Sequence, residues 1–355
     1  MILWVGRLDP FEKTFPQAMF QAVEEAGRRV KQRVHFAMVG WFPDPKAGPQ
    51  LYEEAARLHA PSVAVHMLNG NDRKLVNAIW SAGDVFLSLV DNIQETFGIT
   101  LLEAMASGLP VVASDWDGYR ATVQPGVEGF LIPTLGGPPG LGHAMGLRHV
   151  LGMDSYQRYV GALAQCTAVN VARAAEALAA LISQPELRRK MGEAGRKRVR
   201  SMFDWPIVVG KLTDLFDELA EIRRRSTAFG SPGAAAAKGD PVKDEPFSSF
   251  AAFATQPLTE TIVLRIRAGI GANPASVFRG AALNRFGAAW RANLQETETA
   301  YALLRQEGEL TVGQILSRFP ISRRAPLQAS LLWMCKLGLL DWNVREAGVG
   351  GEALR

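Results

Sequence analysis

Residues 85–113 read VFLSLVDNIQETFGITLLEAMASGLPVVA. Val85–Leu89 is an unbroken apolar run of strand length, and Ile99–Ser107 has helical character. The helix stops at Gly108 and Pro110, which suit the position after a helix and the turn beyond it. Val111–Ala113 is then apolar again. A strand, a loop, a helix and a second strand in that order form the unit that joins parallel strands. The same alternation extends in both directions. Upstream, Ile2–Val5 is an apolar run closed by Gly6, and Pro16–Val30 carries Ala18, Met19, Ala22, Val23 and Ala26 at helical spacing. Further strands are predicted at Val34–Val39 and Val63–Met67, with helices at Gln50–His59 and Arg73–Ala82; downstream, Gly129–Ile132 is a short sixth strand. The pattern predicts an α/β domain, a parallel sheet with helices on both faces. Ligands of such sheets sit beyond the carboxyl ends of the strands, so chemistry is expected in the loops after Val5, Val39, Met67, Leu89 and Ala113.

Beyond this unit the signals change. Pro133–Gly142 is rich in Gly and Pro and reads as a loop, followed by an inserted helix at Met153–Gln165. Helices follow at Val171–Ile182, Glu186–Met202 and Ile207–Arg225, so residues 1–225 are taken as one domain with an insertion at 133–165. Residues 226–257 are rich in Ala, Gly, Ser and Pro without periodicity and read as a flexible linker. A small, mainly helical module is expected over 258–345, with helices at Glu296–Arg305, Val312–Phe319 and Pro326–Leu337 and a short strand at Gly338–Trp342; 346–355 is a tail. That order resembles a winged helix. The helix at 326–337 is apolar nearly all round, so packing or protein contact suits it better than reading bases.

Composition bounds the function. The 355 residues are 48% hydrophobic and 21% charged, which fits folded domains with real cores. The longest apolar stretch, Ala329–Leu340, is interrupted by Lys336 and falls short of the ~18–20 residues that cross a bilayer. The opening residues carry no basic-then-apolar leader. Two distant cysteines, Cys166 and Cys335, make neither a disulfide framework nor a thiolate cluster, and the five histidines have no ligand spacing, so no metal and no cofactor is expected. A cytoplasmic setting follows, with contact at the inner membrane face at most peripheral. The net charge of +4 is too small to argue for nucleic acid. Its densest cluster, Arg188, Arg189, Lys190, Arg196, Lys197, Arg198 and Arg200, reads as a solvated helix face in preference to a patch for anionic lipid.

The loop and helix inside the quoted stretch hold two glutamates, Glu95 and Glu103, separated by seven residues. Phe97-Gly98-Ile99 between them opens the helix, whose free N–H groups and dipole favour an anion; Gly98 carries no side chain to block a close approach. A diphosphate suits that position, and an ionised carboxylate on either side can accept two hydrogen bonds from a vicinal diol. Thr100-x-x-Glu103 also fits a capping box, in which Glu103 would only tie down the helix start. Gly6–Thr14 resembles a phosphate-binding Walker loop, but Glu12 stands where a glycine precedes the lysine, so nucleotide hydrolysis is not supported.

In this combination the sequence resembles the donor-binding C-terminal half of the retaining group 1 (family 4) glycosyltransferases, whose GT-B fold sets two Rossmann-like domains face to face. The resemblance covers about residues 2–225. It rests on Val5-Gly6-Arg7-Leu8 with Lys13, on the Glu-x7-Glu pair, on Asp115–Ile132 and on Phe203-Asp204-Trp205. It implies that Arg7 and Lys13 neutralise the diphosphate leaving group, that Glu95 contacts the donor sugar near the reacting centre, and that Glu103 holds the ribose. Gly6, Phe97, Gly98 and Ile99 would line the donor site, with the nucleobase near Leu68 and Asn69. Three features depart from the family pattern: Lys13-Thr14 replaces Lys-Gly, Lys13 lies one residue further from Arg7, and Gly118-Tyr119-Arg120 stands where a glycine pair and an acidic residue are usual.

The implied function is transfer of a sugar from a nucleoside diphosphate to an acceptor hydroxyl of a glycan, lipid or small molecule, with retention at the anomeric carbon. The acceptor-binding half is expected to be absent from this chain, since Met1 falls at the first strand of the donor domain. The alternative is a non-catalytic nucleotide-sugar-binding or protein-interaction subunit, with a protein partner met through the helical module. A relative that cleaves or epimerises nucleotide sugars is a third reading.

Overall fold

The structure, a computed structural model, describes residues 1–225, 245–270 and 282–344. Its centre is a six-stranded sheet. The strands are β1 (Ile2–Arg7), β2 (His35–Trp41), β3 (Ala64–Asn69), β4 (Val85–Ser88), β5 (Val111–Ser114) and β6 (Gly129–Ile132). Every pairing is parallel, and the order across the sheet is β3-β2-β1-β4-β5-β6. The order is doubly wound, and the Rossmann-like parallel sheet is the one expected of the sequence.

Side chains alternate across the sheet, as the two-residue period of a strand requires. Ile2 and Trp4 of β1, Phe36 and Met38 of β2 and Val112 of β5 enter one core. Leu3, Ala37, Val39, Val111 and Ala113 enter the other. Both faces are buried, which is why the strands read as continuous apolar runs. On the first face lie α1 (Pro16–Val30), which supplies Met19 and Val23, and α8 (Val171–Ser183), which supplies Leu178 and Leu181. On the second lie α3 (Arg73–Ile79), which supplies Ile79, and α4 (Ile99–Ala106), which supplies Leu101 and Met105. The helices α2 (Ala47–His59) and α5 (Tyr119–Thr122) complete this part.

The insertion is more structured than its composition suggests. Residues 133–142 were expected as loop, yet β7 (Thr134–Gly136) forms there and pairs with β8 (Ala168–Val169). Before the expected helix, here α7 (Tyr156–Ala164), stands an additional one, α6 (His143–Val150). Next come α9 (Pro185–Met202) and α10 (Trp205–Arg225). Most basic side chains of α9 are exposed, as a solvated face requires, and several of its arginines are also hydrogen-bonded. Arg188 donates to the carbonyls of Leu181 and Ile182, Arg196 to Ser107, and Arg198 to Ala121 and Thr122, each at the C-terminal end of a neighbouring helix. Cations there satisfy free carbonyls and oppose the helix dipole.

The expected linker, 226–257, divides in two. Residues 226–244 lie outside the described residues. Residues 245–257 form α11 (Pro246–Ser249) and β9 (Gln256–Pro257), and β9 pairs with β7. Arg120 donates to the carbonyls of Ala252 and Phe253, and Phe253 packs edge-on against Trp116 with centroids 5.6 Å apart. This segment is therefore fastened to the first domain, a correction that composition alone could not supply.

The last part contains β10 (Val263–Ile266), α12 (Leu294–Glu307), β11 (Glu309–Thr311), α13 (Val312–Leu316), α14 (Arg324–Lys336) and β12 (Leu340–Trp342). Its sheet is antiparallel, in the order β11-β10-β12, so the central strand comes from before the helices. The apolar α14 is buried from Ala329 to Lys336, and its residues belong to the same core as Trp4, Met19 and Phe36. Packing within the chain, not a nucleic-acid groove or an external partner, covers it. The expected tail, 346–355, lies outside the described residues.

Candidate active site

A doubly wound sheet opens a crevice where the strand order reverses, because the connections on either side run in opposite directions. Here the reversal falls between β1 and β4. The two strands pair only at their starts, through Ile2↔Val85 and Leu3↔Phe86. Beyond their ends lies a cavity of about 280 Å³ lined by Gly6, Arg7, Glu12, Lys13, Gln94 and Glu95.

Arg7 is the last residue of β1. The following loop is shaped by Asp9, whose Oδ1 accepts from the backbone N–H groups of Phe11 at 2.9 Å and Glu12 at 2.8 Å. That turn brings Glu12 back within 3.3 Å of the Arg7 guanidinium, and carries Lys13 across to Glu95. Lys13 Nζ donates to Glu95 Oε2. The Glu95 loop is held in turn: Trp116 Nε1 donates to the Glu95 carbonyl at 3.0 Å, and Gln94 Nε2 to the Glu12 carbonyl at 3.1 Å. Two cations and two carboxylates thus face one crevice in mutual pairs. Burial, followed by the charge of Asp9, pushes the Glu12 carboxyl up, against the opposing pull of Arg7.

The helix beside the crevice starts without a side-chain cap. Its N-cap is Gly98, at φ +77°, in the left-handed region open to glycine. A Cβ there would lie 2.3 Å from the Tyr119 ring. Gly98, not Thr100, occupies the cap, so Glu103 takes no part in a capping box. Glu103 sits exposed on α4 without a hydrogen bond or ion pair from its side chain, and partial desolvation raises its carboxyl pKa. Ile99 is 65% exposed, and Phe97 is exposed and edge-on to Phe203 at 6.3 Å.

Of the residues singled out from the sequence, Gly6, Arg7, Lys13 and Glu95 line the crevice together. Phe97, Gly98, Ile99 and Glu103 follow on the adjoining loop and helix. Leu68 and Asn69 end β3, three strand spacings from β4, or about 14 Å. Leu68 packs into the second core, and Asn69 Oδ1 accepts from Asn71 N at 3.0 Å. Glu12 and Gln94 are additional lining residues. Glu12 was visible only as the residue that spoils a glycine pattern.

Arg120 points to Asp115 and to the carbonyls of residues 252 and 253, so it serves the returning segment. Three residues before it, Asp117 takes φ +30°, a backbone conformation that favours glycine, directly ahead of Gly118. Among the described residues, no three His, Cys, Asp or Glu side chains are grouped to hold a metal ion. Nor, among them, is any helix long and apolar enough to cross a membrane.

Residues 1–145 match the family model described as "Glycosyl transferases group 1". Over that segment the chain is similar to the group 1 glycosyltransferases. The chain is 26% identical over 219 residues to a D-inositol 3-phosphate glycosyltransferase of Corynebacterium efficiens, a match covering 61% of this chain and 42% of that protein. It is 31% identical over 126 residues to a phosphatidyl-myo-inositol mannosyltransferase of Mycobacterium leprae, covering 36% of this chain and 24% of the other. Among solved structures, a sucrose-phosphate synthase from Thermosynechococcus elongatus aligns over 62% of this chain and 45% of its own, with 23% identity and a TM-score of 0.43. The chain thus spans less than half the length of the curated relatives it matches. The crevice lies among residues 6–95, inside the matched segment.

Proposed function

We propose that this chain is the donor-binding half of a retaining glycosyltransferase and seats a nucleoside-diphosphate sugar in the crevice between β1 and β4. The observation that carries the reading is the convergence of Arg7, Lys13 and Glu95 on that crevice, at the switch point of the sheet. Departure of a diphosphate leaves negative charge on its oxygens. Arg7, Lys13 and the uncapped start of α4 are fixed positive groups suited to stabilise it, and such preorganised charge is the largest lever in many enzymes. They supply that charge without a metal cofactor. Glu95 would hold the sugar hydroxyls and orient the anomeric carbon, and Glu103 the ribose. Leu68 and Asn69 lie far enough away to meet the base of an extended nucleotide.

The acceptor hydroxyl, from a glycan, a lipid or a small molecule, would come to the sugar from outside these residues. The 21-residue α10 supports this division. Trp205, Val209, Leu212, Phe216, Leu219 and Ile222 are all exposed along it, Trp205 to 76%, and no residue of the helix is buried. An apolar stripe of this length normally marks a contact surface. The same stripe favours a second reading, in which the chain binds donor and delivers it to a separate partner without turning it over alone.

Calorimetry with UDP and GDP tests the first step. Arg7→Ala should weaken binding by at least about tenfold, the scale of one charge-assisted contact to phosphate. Equal affinity for Arg7→Ala and wild type would remove the crevice from the donor site. Product analysis with a complete acceptor system then separates transfer from binding without turnover.

A further inference from the structure

The C-terminal part reaches the crevice through a buried charge. Lys336, at the end of the apolar α14, is 2% exposed, and Asp91, just after β4, is 4% exposed. They lie 245 residues apart in sequence, and Lys336 Nζ donates to Asp91 Oδ2. The same ammonium donates to the Thr167 carbonyl at 3.2 Å and lies 4.9 Å from the centroid of the Phe15 ring. The other Asp91 oxygen, Oδ1, accepts from Phe15 N at 3.4 Å. Asp91 therefore touches both segments that build the crevice. It opens the loop leading to Glu95, and it holds the end of the loop that carries Lys13. Thr14 Oγ1, donating to the Leu89 carbonyl at 2.6 Å, ties the same two segments.

Further contacts tie the C-terminal part to the elements around this pair. Gln17 and Gln21 of α1 donate to the Leu337 carbonyl at 3.1 and 2.9 Å, and Phe286 stacks on Phe11 of the crevice loop at 4.1 Å. An apolar side chain would fill the space of Lys336 without stripping water from a charge, and buried ion pairs seldom exceed such a replacement in stability. What Lys336 adds is neutralisation of a carboxylate that both loops depend on.

We propose that Lys336 is a positioning residue for the donor site: paired with Asp91, it holds residues 9–15 and 91–97 in the arrangement that sets Lys13 against Glu95. The proposal rests on the donor-site reading above. It makes the C-terminal part a component of the site, although that part lies outside the segment matched by the family.

The test uses the full chain. Lys336→Met leaves Asp91 buried without its cation. The double variant Asp91→Asn with Lys336→Met removes both charges and keeps an acceptor for Phe15 N. Affinity for UDP and GDP is measured by calorimetry, and amide exchange is followed over residues 9–15 and 91–97, with melting temperatures for each variant. Lys336→Met should weaken nucleotide binding about tenfold and speed exchange in both loops, and the double variant should return to within about threefold of wild type.

A residue serving stability alone would lower the melting temperature and leave the affinity of the folded protein unchanged. Wild-type affinity and exchange in folded Lys336→Met would overturn the proposal, as would a double variant as impaired as the single one. If Lys336→Met does not fold, Asp91→Asn alone decides: loosened loops and weaker binding support the proposal, and unchanged loops and binding refute it. Should wild type bind neither nucleotide, the donor reading fails, while the exchange comparison still decides whether Lys336 orders the two loops.

Discussion

Lys13 and Glu95 are joined across the mouth of the crevice, the ammonium of one donating to the carboxylate of the other. The cation that a diphosphate would claim is thus already engaged by the group proposed to meet the sugar. Binding a donor has to exchange one partner for another. Glu95→Gln removes the competitor and keeps a side chain of the same shape, so affinity for UDP or GDP should rise about two- to fivefold, the scale of a partly exposed ion pair. Calorimetry reads this directly, and a lower affinity would mean that Glu95 helps to seat the diphosphate instead.

Glu12 ties the anion affinity of the crevice to pH. Its carboxyl is raised by burial and by Asp9, and it faces Arg7 at 3.3 Å. When it takes up a proton, the crevice loses a negative charge and Arg7 is released for the ligand. Affinity for a nucleotide sugar, whose diphosphate stays fully ionised, should therefore increase as pH falls from neutral toward the raised pKa of Glu12, with net proton uptake on binding. Glu12→Gln should bind about threefold tighter at neutral pH and flatten the profile. A profile that slopes the same way in the variant would assign the effect elsewhere.

Gly98→Ala should be among the most damaging small substitutions in the domain. Alanine would meet both a left-handed backbone, φ +77°, and the Tyr119 ring at 2.3 Å. Tyr119 is itself buried, with its hydroxyl 3.2 Å from Ser88 Oγ. A loss of about 1–3 kcal/mol in urea unfolding is expected from strain of this kind. A variant as stable as wild type would show that α4 can begin in another conformation.

His59 sets an acid limit on stability. Burial pushes its imidazole down to about 4, and its Nε2 is enclosed without a partner. The unfolded chain, with an ordinary histidine, takes up the proton first as pH falls, so this contribution is constant above about 6.5 and is lost progressively toward 4. Between pH 7 and pH 5 the loss is about 2 kcal/mol. Urea titrations of wild type and His59→Leu at the two pH values should differ by that amount, and an equal fall in both would implicate other groups.

The sheet and its covering helices were legible because their patterns are long and their ends are marked. Pro16, at the head of α1, and Gly108, at φ +80° after α4, are examples of such punctuation. By contrast α6 begins at Gly142 with no side-chain cap, inside a run of glycine and proline, so nothing local announces it. The strands β7, β8 and β9 span two or three residues each and exist through pairing with distant chain. Residues 245–257 owe their order to a few anchors, Phe247, Phe253 and Thr255, among small residues that read as linker. In the crevice, Arg7, Lys13 and Glu95 stood out through their positions relative to the strands. Glu12 and Gln94 did not, because only the turn built on Asp9 brings them inward. The single lysine in an otherwise apolar helix was visible too, but its partner lies far away in sequence.

The core beneath α1 does not end with the first domain: it runs without a break from Ile2 and Phe36 to Leu331 and Trp342. Removing the last hundred or so residues would therefore lay bare a wide oily surface and strand the Asp91 carboxylate without its counter-ion. Heating should melt both parts together in a single calorimetric peak, and fragments trimmed to residues 1–225 should precipitate.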